Sequence, residues 1–166
     1  MLAGSPETFR EIEVNRTTTL IASRLAAVAL LAVTLLAGAV PAANAAAPLG
    51  YQIFCLKNPN ECKGGGASQV KLTDDTMALM KTVNAKINRS ITPRHDKGAD
   101  VWSANATSGD CEDYVLAKRR ALINAGLPPS ALRIAYVKTS QGEGHAILVV
   151  KTSGKDWVLD NLNGRV

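Results

Sequence analysis

The stretch Ser108-Gly-Asp-Cys-Glu-Asp-Tyr-Val-Leu-Ala-Lys-Arg-Arg-Ala-Leu-Ile-Asn-Ala-Gly126 constrains this chain more than any other. Gly109 permits a tight approach of the backbone, Asp110 is a preferred helix N-cap, and Val115, Leu116, Ile123 and the alanines give the following helix an apolar side. Gly126 ends it. Cys111 therefore falls in the first helical turn, where unpaired N–H groups and the positive end of the helix dipole favour a thiolate over a thiol. The position equally suits a buried apolar cysteine, because free cysteine is among the most buried residue types.

Two later strand-like runs bear on that choice. His145 opens His-Ala-Ile-Leu-Val-Val-Lys, and Asp160 closes Asp-Trp-Val-Leu-Asp. A cysteine at a helix start, a histidine on one strand and an acid on the next form an arrangement in which an imidazole takes the thiol proton while the carboxylate holds its ring. The chain order is Cys111, His145, Asp160.

With the words around them, these residues resemble the bacterial transglutaminase-like cysteine proteinases, a family that includes periplasmic adhesin proteases. The resemblance rests on Asp100-Val-Trp102, Gly109-Asp-Cys-Glu-Asp-Tyr114, the Lys118 to Gly126 helix end, Gly144-His-Ala-Ile-Leu-Val149 and Val158-Leu-Asp-Asn-Leu162. It runs from about residue 50 to the end. It implies an α+β, papain-like fold in which the cysteine helix packs on an antiparallel sheet bearing the histidine and aspartate. It also implies a Cys111-His145-Asp160 triad and peptide-bond hydrolysis in the bacterial envelope.

The N-terminal part carries a different signal. Arg16 and Arg24 precede the apolar run from Leu25 to Val40, which is followed by Pro41 and Ala43-Asn-Ala45. That pattern predicts a secretory signal with an Ala-x-Ala cleavage site, giving an N-terminal extension and signal over 1–45 and a peptidase domain over 46–166. The alternative, a permanent single-span anchor, is disfavoured by the length of the run and the lack of a basic cluster after it. The expected location is the periplasm or the medium. A formal net charge of +5 raises nucleic acid as a partner, but the basic residues are scattered and aromatics are only 4%, so no stacking platform or basic stripe is present.

In an exported chain, Cys55 and Cys62 are candidates for a disulfide, the alternatives being two free thiols or a metal site. The absence of a further Cys or His partner nearby argues against a zinc knuckle. Pairing them leaves Cys111 as the odd cysteine. Thr73 caps a predicted helix from Asp74 to about Ile91, with Met77, Met80, Val83 and Ile87 close to one face, and Pro93 stops it. His95 and Trp102 fall in the polar loop that follows, His95 as an exposed histidine and Trp102 packed under the loop before Cys111. Leu132–Lys138, the His145 run and Trp157–Leu162 are predicted strands joined by short connections, hence antiparallel neighbours. The resemblance implies at least one strand more than Asn161-Leu-Asn-Gly-Arg-Val166 supplies, so a C-terminal truncation is expected.

Asp110, Glu112 and Asp113 lie within two residues of Cys111, and negative charge there opposes thiol ionisation. One reading makes them ordinary first-turn helix acids. The resemblance implies the other, a calcium ion held by Asp110 and Glu112. The function expected is an exported cysteine endopeptidase acting on a protein substrate, with a large surface adhesin and an inner-membrane regulatory receptor as the partners the resemblance implies. Two rivals use the same fold: a protein-glutamine transglutaminase, if a lysine amine outcompetes water, and a non-catalytic envelope binding module.

Overall fold

The structure, a computed structural model, describes residues 47–166; the expected signal and its cleavage point lie outside that span. The described chain opens with helix α1 (Leu49–Lys57) and the one-turn helix α2 (Pro59–Cys62). Neither was expected from the sequence. The apolar residues Leu49, Ile53 and Leu56 face outward while Gly50 and Phe54 are buried, so the hydrophobic pattern points away from the packed side. A Cβ at Gly50 would meet Asp100 and Trp102 at 2.6 Å, so only glycine lets α1 approach this closely. A Cys55–Cys62 disulfide closes the corner, with Cα atoms 5.6 Å apart.

Helix α3 (Asp74–Ser90) starts where its capping residue predicts: the Thr73 hydroxyl accepts the Thr76 N–H at 3.1 Å. Two-residue strands follow, β1 (Thr92–Pro93) and β2 (Ser108–Gly109), paired in parallel so that Pro93 lies beside Gly109. Helix α4 (Cys111–Asn124) ends at Gly126, whose φ of +96° and the Leu127 N–H bond to Leu122 O make a glycine C-terminal motif. Strands β3 (Leu132–Lys138), β4 (Gly144–Val150) and β5 (Trp157–Leu159) form one antiparallel sheet in that order, with Val137 opposite His145 and Leu148 opposite Leu159. Strand β5 is shorter than predicted, because the Asp160 carboxylate accepts the Leu162 N–H at 3.0 Å and turns the chain out of the sheet.

Period-2 alternation buries Ala146, Leu148 and Val150 on one sheet face, which packs on Val115 and Leu122 of α4 and Met80 and Val83 of α3. Each fully buried aliphatic side chain in this layer is worth about 1.5–3 kcal/mol. A second cluster of Phe54, Trp102, Ala104 and Leu116 seats α1 on the other side of α4. Trp102 is thus core filling, its indole N–H held by Asp100 at 2.8 Å. Arg119 donates to the carbonyls of Glu61 and Leu132, and Arg120 pairs with Glu61 at 2.9 Å, tying the disulfide corner to α4. The cysteine helix is therefore fixed along both sides.

Candidate active site

Cys111 is the first residue of α4, and its exposure is intermediate. Its Sγ accepts the Ala146 N–H at 3.4 Å, so the thiol lies against the peptide that joins His145 to Ala146. His145 is 6% exposed, and its Nε2 donates to Asp160 Oδ1 at 2.8 Å. With Nε2 committed to the carboxylate, Nδ1 is the ring nitrogen left to take a proton. Asp160 is carried by the turn after β5 and anchored from α3, where Asn88 Nδ2 donates to its backbone oxygen at 2.9 Å. Cys111 and His145 open onto one cleft of about 360 Å³, with Asn161 and Leu162 of the turn after β5 on its wall and Asp160 behind His145.

Of the remaining expectations for this region, two need correction. Asp110 occupies the N-cap position but makes no side-chain cap bond. Its carboxylate instead lies near those of Glu112 and Asp96. Asp113, three residues into the turn, is 4% exposed and its Oδ1 accepts the Ser103 N–H at 2.7 Å, tying the helix start to the preceding loop. Gly109 is required for this, since a Cβ there would lie 1.7 Å from Asp113 Oδ2. The second correction concerns the thiol. Burial pushes it up to about 12, aided by the hydrogen bond and charge of Glu112, while the Ala146 N–H works in the opposite direction. The S–H donates to Glu112 Oε2 at 3.1 Å. Burial, reinforced by the acids at the helix start, thus keeps the proton on sulfur.

Burial and the neighbouring Glu112 raise Asp110 to about 6, and burial raises Asp113 to the same region. None of these three acids is in an ion pair among the described residues. Asp110 and Glu112 therefore offer two oxygen donors of the right chemistry for a hard divalent cation. No group of three or more His, Cys, Asp or Glu side chains among the described residues is arranged to hold a metal. Asp113 and Asp100 each have one oxygen bonded, to Ser103 N and Trp102 Nε1, so further ligands would come from their second oxygens, backbone carbonyls or water.

The cleft also takes in residues that sequence reasoning left aside. Arg94 and His95 form part of one wall, placed there because Arg94 N–H bonds Gly109 O at 2.9 Å. His95 is exposed, as expected, and also lines the cleft. Thr139 and Glu143 form another part, in a hairpin closed by the Thr139 N–H to Glu143 O bond at 2.8 Å. A two-residue strand pair has no periodicity to read, so nothing in the sequence announced the first wall. The other missed residue is Lys118, fully buried in α4. A lysine within a helix ordinarily reads as a solvated one.

The profile of the family described as bacterial transglutaminase-like cysteine proteinase (BTLCP) matches residues 42–166. Among solved structures, calcium-bound LapG of Legionella pneumophila is similar at 24% identity and a TM-score of 0.50, over 57% of this chain and 58% of that one. LapG of the same organism in another form gives 24% identity and 0.49, over 57% of each chain. This likeness is one of fold. The chain spans a little under three fifths of the length of the LapG structures it matches. No curated protein matches it.

Proposed function

Because this chain belongs to the bacterial transglutaminase-like cysteine proteinases, we propose that it is an exported cysteine endopeptidase working through Cys111, His145 and Asp160. The observation that carries the reading is the 2.8 Å bond from His145 Nε2 to Asp160 Oδ1, with the Cys111 sulfur held at the next peptide. His145 Nδ1 takes the thiol proton, and the sulfur attacks the substrate carbonyl carbon. The C–S bond forms as the carbonyl π pair moves to oxygen, and we assign the Cys111 backbone N–H, at the helix start, as a donor to that oxyanion. Collapse expels the amine, which leaves with the proton from His145. A water deprotonated by His145 then hydrolyses the thioester. Asp160 keeps the ring oriented throughout.

The cation enters the same proposal. Asp110 and Glu112 would hold calcium, and when bound it supplies positive charge that neutralises the acids opposing thiol ionisation. LapG of Legionella pneumophila has been solved calcium-bound and EGTA-treated, which supports this choice of ion. The adhesin class of substrate, a regulatory receptor in the inner membrane and residence of the 46–166 domain in the periplasm follow from the same family reading.

The experiment is comparative proteomics of envelope and medium with wild type and Cys111→Ala. A large surface protein shed only with wild type supports the proposal. Incubation with a fluorescent amine and an acceptor protein separates the rival chemistry. Label incorporation without cleavage would replace peptidase by transglutaminase.

A further inference from the structure

Lys118 is fully buried, and its Nζ has no hydrogen-bond partner among the described residues. An ammonium taken out of water without a partner is costly, so its place in the core calls for a reason. Its position supplies one. Val115, Lys118 and Leu122 are spaced i, i+3 and i+7, so they form one stripe on α4. Val115 and Leu122 of that stripe belong to the same core cluster as Leu148 and Leu159. Asp160 follows Leu159 directly. On its own helix, Lys118 has the Tyr114 ring 5.9 Å away, a weak apolar neighbour for a cation.

Asp160 shows the complementary asymmetry. Its Oδ1 accepts from both His145 Nε2, at 2.8 Å, and the Leu162 N–H, at 3.0 Å. Its Oδ2 has no donor among the described residues. A carboxylate with one oxygen committed twice and the other without a donor thus follows Leu159, a member of the core cluster that also holds Val115 and Leu122 of the Lys118 stripe. Burial lowers the Lys118 ammonium to about 8, and the charge of Asp160 is what opposes that fall.

We propose that Lys118 is a positioning residue for this site, its buried ammonium the fixed counter-charge that holds the Asp160 carboxylate in place against His145. The proposal rests on the peptidase reading and deepens it. Lys118 touches neither substrate nor the reacting atoms. It acts through Asp160, and its burial keeps the counter-charge from being screened or replaced by solvent.

The test uses the full chain, with p-nitrophenyl acetate as a small acyl substrate and Cys111→Ala as its blank. Lys118→Met keeps length and burial while removing the charge. It should lower kcat about tenfold, the size expected when a group orienting a catalytic side chain is lost. KM should be unchanged and the melting temperature equal or higher, because the desolvation cost of a buried ammonium without a hydrogen bond is gone. In an Asp160→Asn background the same change should cost nothing further. Wild-type kcat in Lys118→Met, or an equal added loss in the Asp160→Asn background, would overturn the proposal. Should the methionine variant fail to fold, Lys118→Gln is read through the same cycle. A readout independent of turnover is the downfield proton of His145 Nε2–H, which should shift or exchange out in the Lys118 variant. If Cys111→Ala retains esterase turnover, the peptidase reading falls. The His145 proton then still decides the Lys118 question, an unchanged signal counting against it.

Discussion

Removing the charge of Glu112 should make Cys111 more reactive in calcium-free buffer, although Glu112 belongs to the site. Its Oε2 lies 3.1 Å from the thiol, and its hydrogen bond and charge, after burial, hold the thiol at about 12. Glu112→Gln preserves shape and burial and deletes the charge. At that separation a unit charge opposes the thiolate by about 1.3 kcal/mol in water and about 5 kcal/mol at an effective dielectric of ~20. The lower figure corresponds to about a tenfold gain in thiolate, since 1.36 kcal/mol is one pKa unit. A less basic thiolate is also a weaker nucleophile, with a Brønsted slope of about 0.4–0.5, so the net rate gain is at least about threefold. The assay is the second-order rate of iodoacetamide alkylation at neutral pH in EGTA, followed by intact mass. With calcium present the wild type should gain and the variant should not. Alkylation of Glu112→Gln no faster than wild type in EGTA would refute the electrostatic account of the thiol.

Other consequences follow from single contacts. His145→Ala should abolish p-nitrophenyl acetate turnover while Asp160→Asn leaves weak activity, because losing the base costs more than losing the group that orients it; equal damage from His95→Ala would move the base to the other wall. Gly109→Ala should destabilise the fold by several kcal/mol in a denaturant titration, as its Cβ would sit 1.7 Å from the buried Asp113 carboxylate, and a wild-type midpoint would contradict that packing. Lys118 is depressed from 10.5 to about 8 in the folded chain, so between those values the unfolded chain binds more protons and stability rises with pH. The full difference is about 3 kcal/mol at 1.36 kcal/mol per pH unit, present as a penalty below pH ~8. Melting temperature should therefore gain across that window in wild type relative to Lys118→Met. A constant difference between the two would show that the ammonium is not desolvated.

The regular elements that could be read in the sequence are those whose signal is local. Thr73 and the Met77, Met80, Val83 spacing set α3, alternation set β3 over Leu132–Lys138, and the apolar run from His145 set β4 to within one residue at each end. Helix α1 escaped notice because its apolar residues face outward and its packed face is built on a glycine. At the site, the proposed triad of Cys111, His145 and Asp160 could be named because a nucleophile, a base and an orienting acid are drawn from restricted residue types. The acids could not be apportioned by sequence. That Asp110 leaves the helix start uncapped while Asp113 binds the preceding loop depends on where that loop places Ser103 N, a tertiary matter. Lys118 escaped for the same reason, since only the sheet packed over α4 makes its burial visible.

The central claim is that Cys111 becomes acylated with His145 as its base, and intact mass after acid quench during p-nitrophenyl acetate turnover tests it most directly. The account predicts a transient acetyl group mapped to Cys111, absent in Cys111→Ala and formed far more slowly in His145→Ala. Stable acetylation at other residues with no adduct on Cys111, while wild type still turns over, would contradict it.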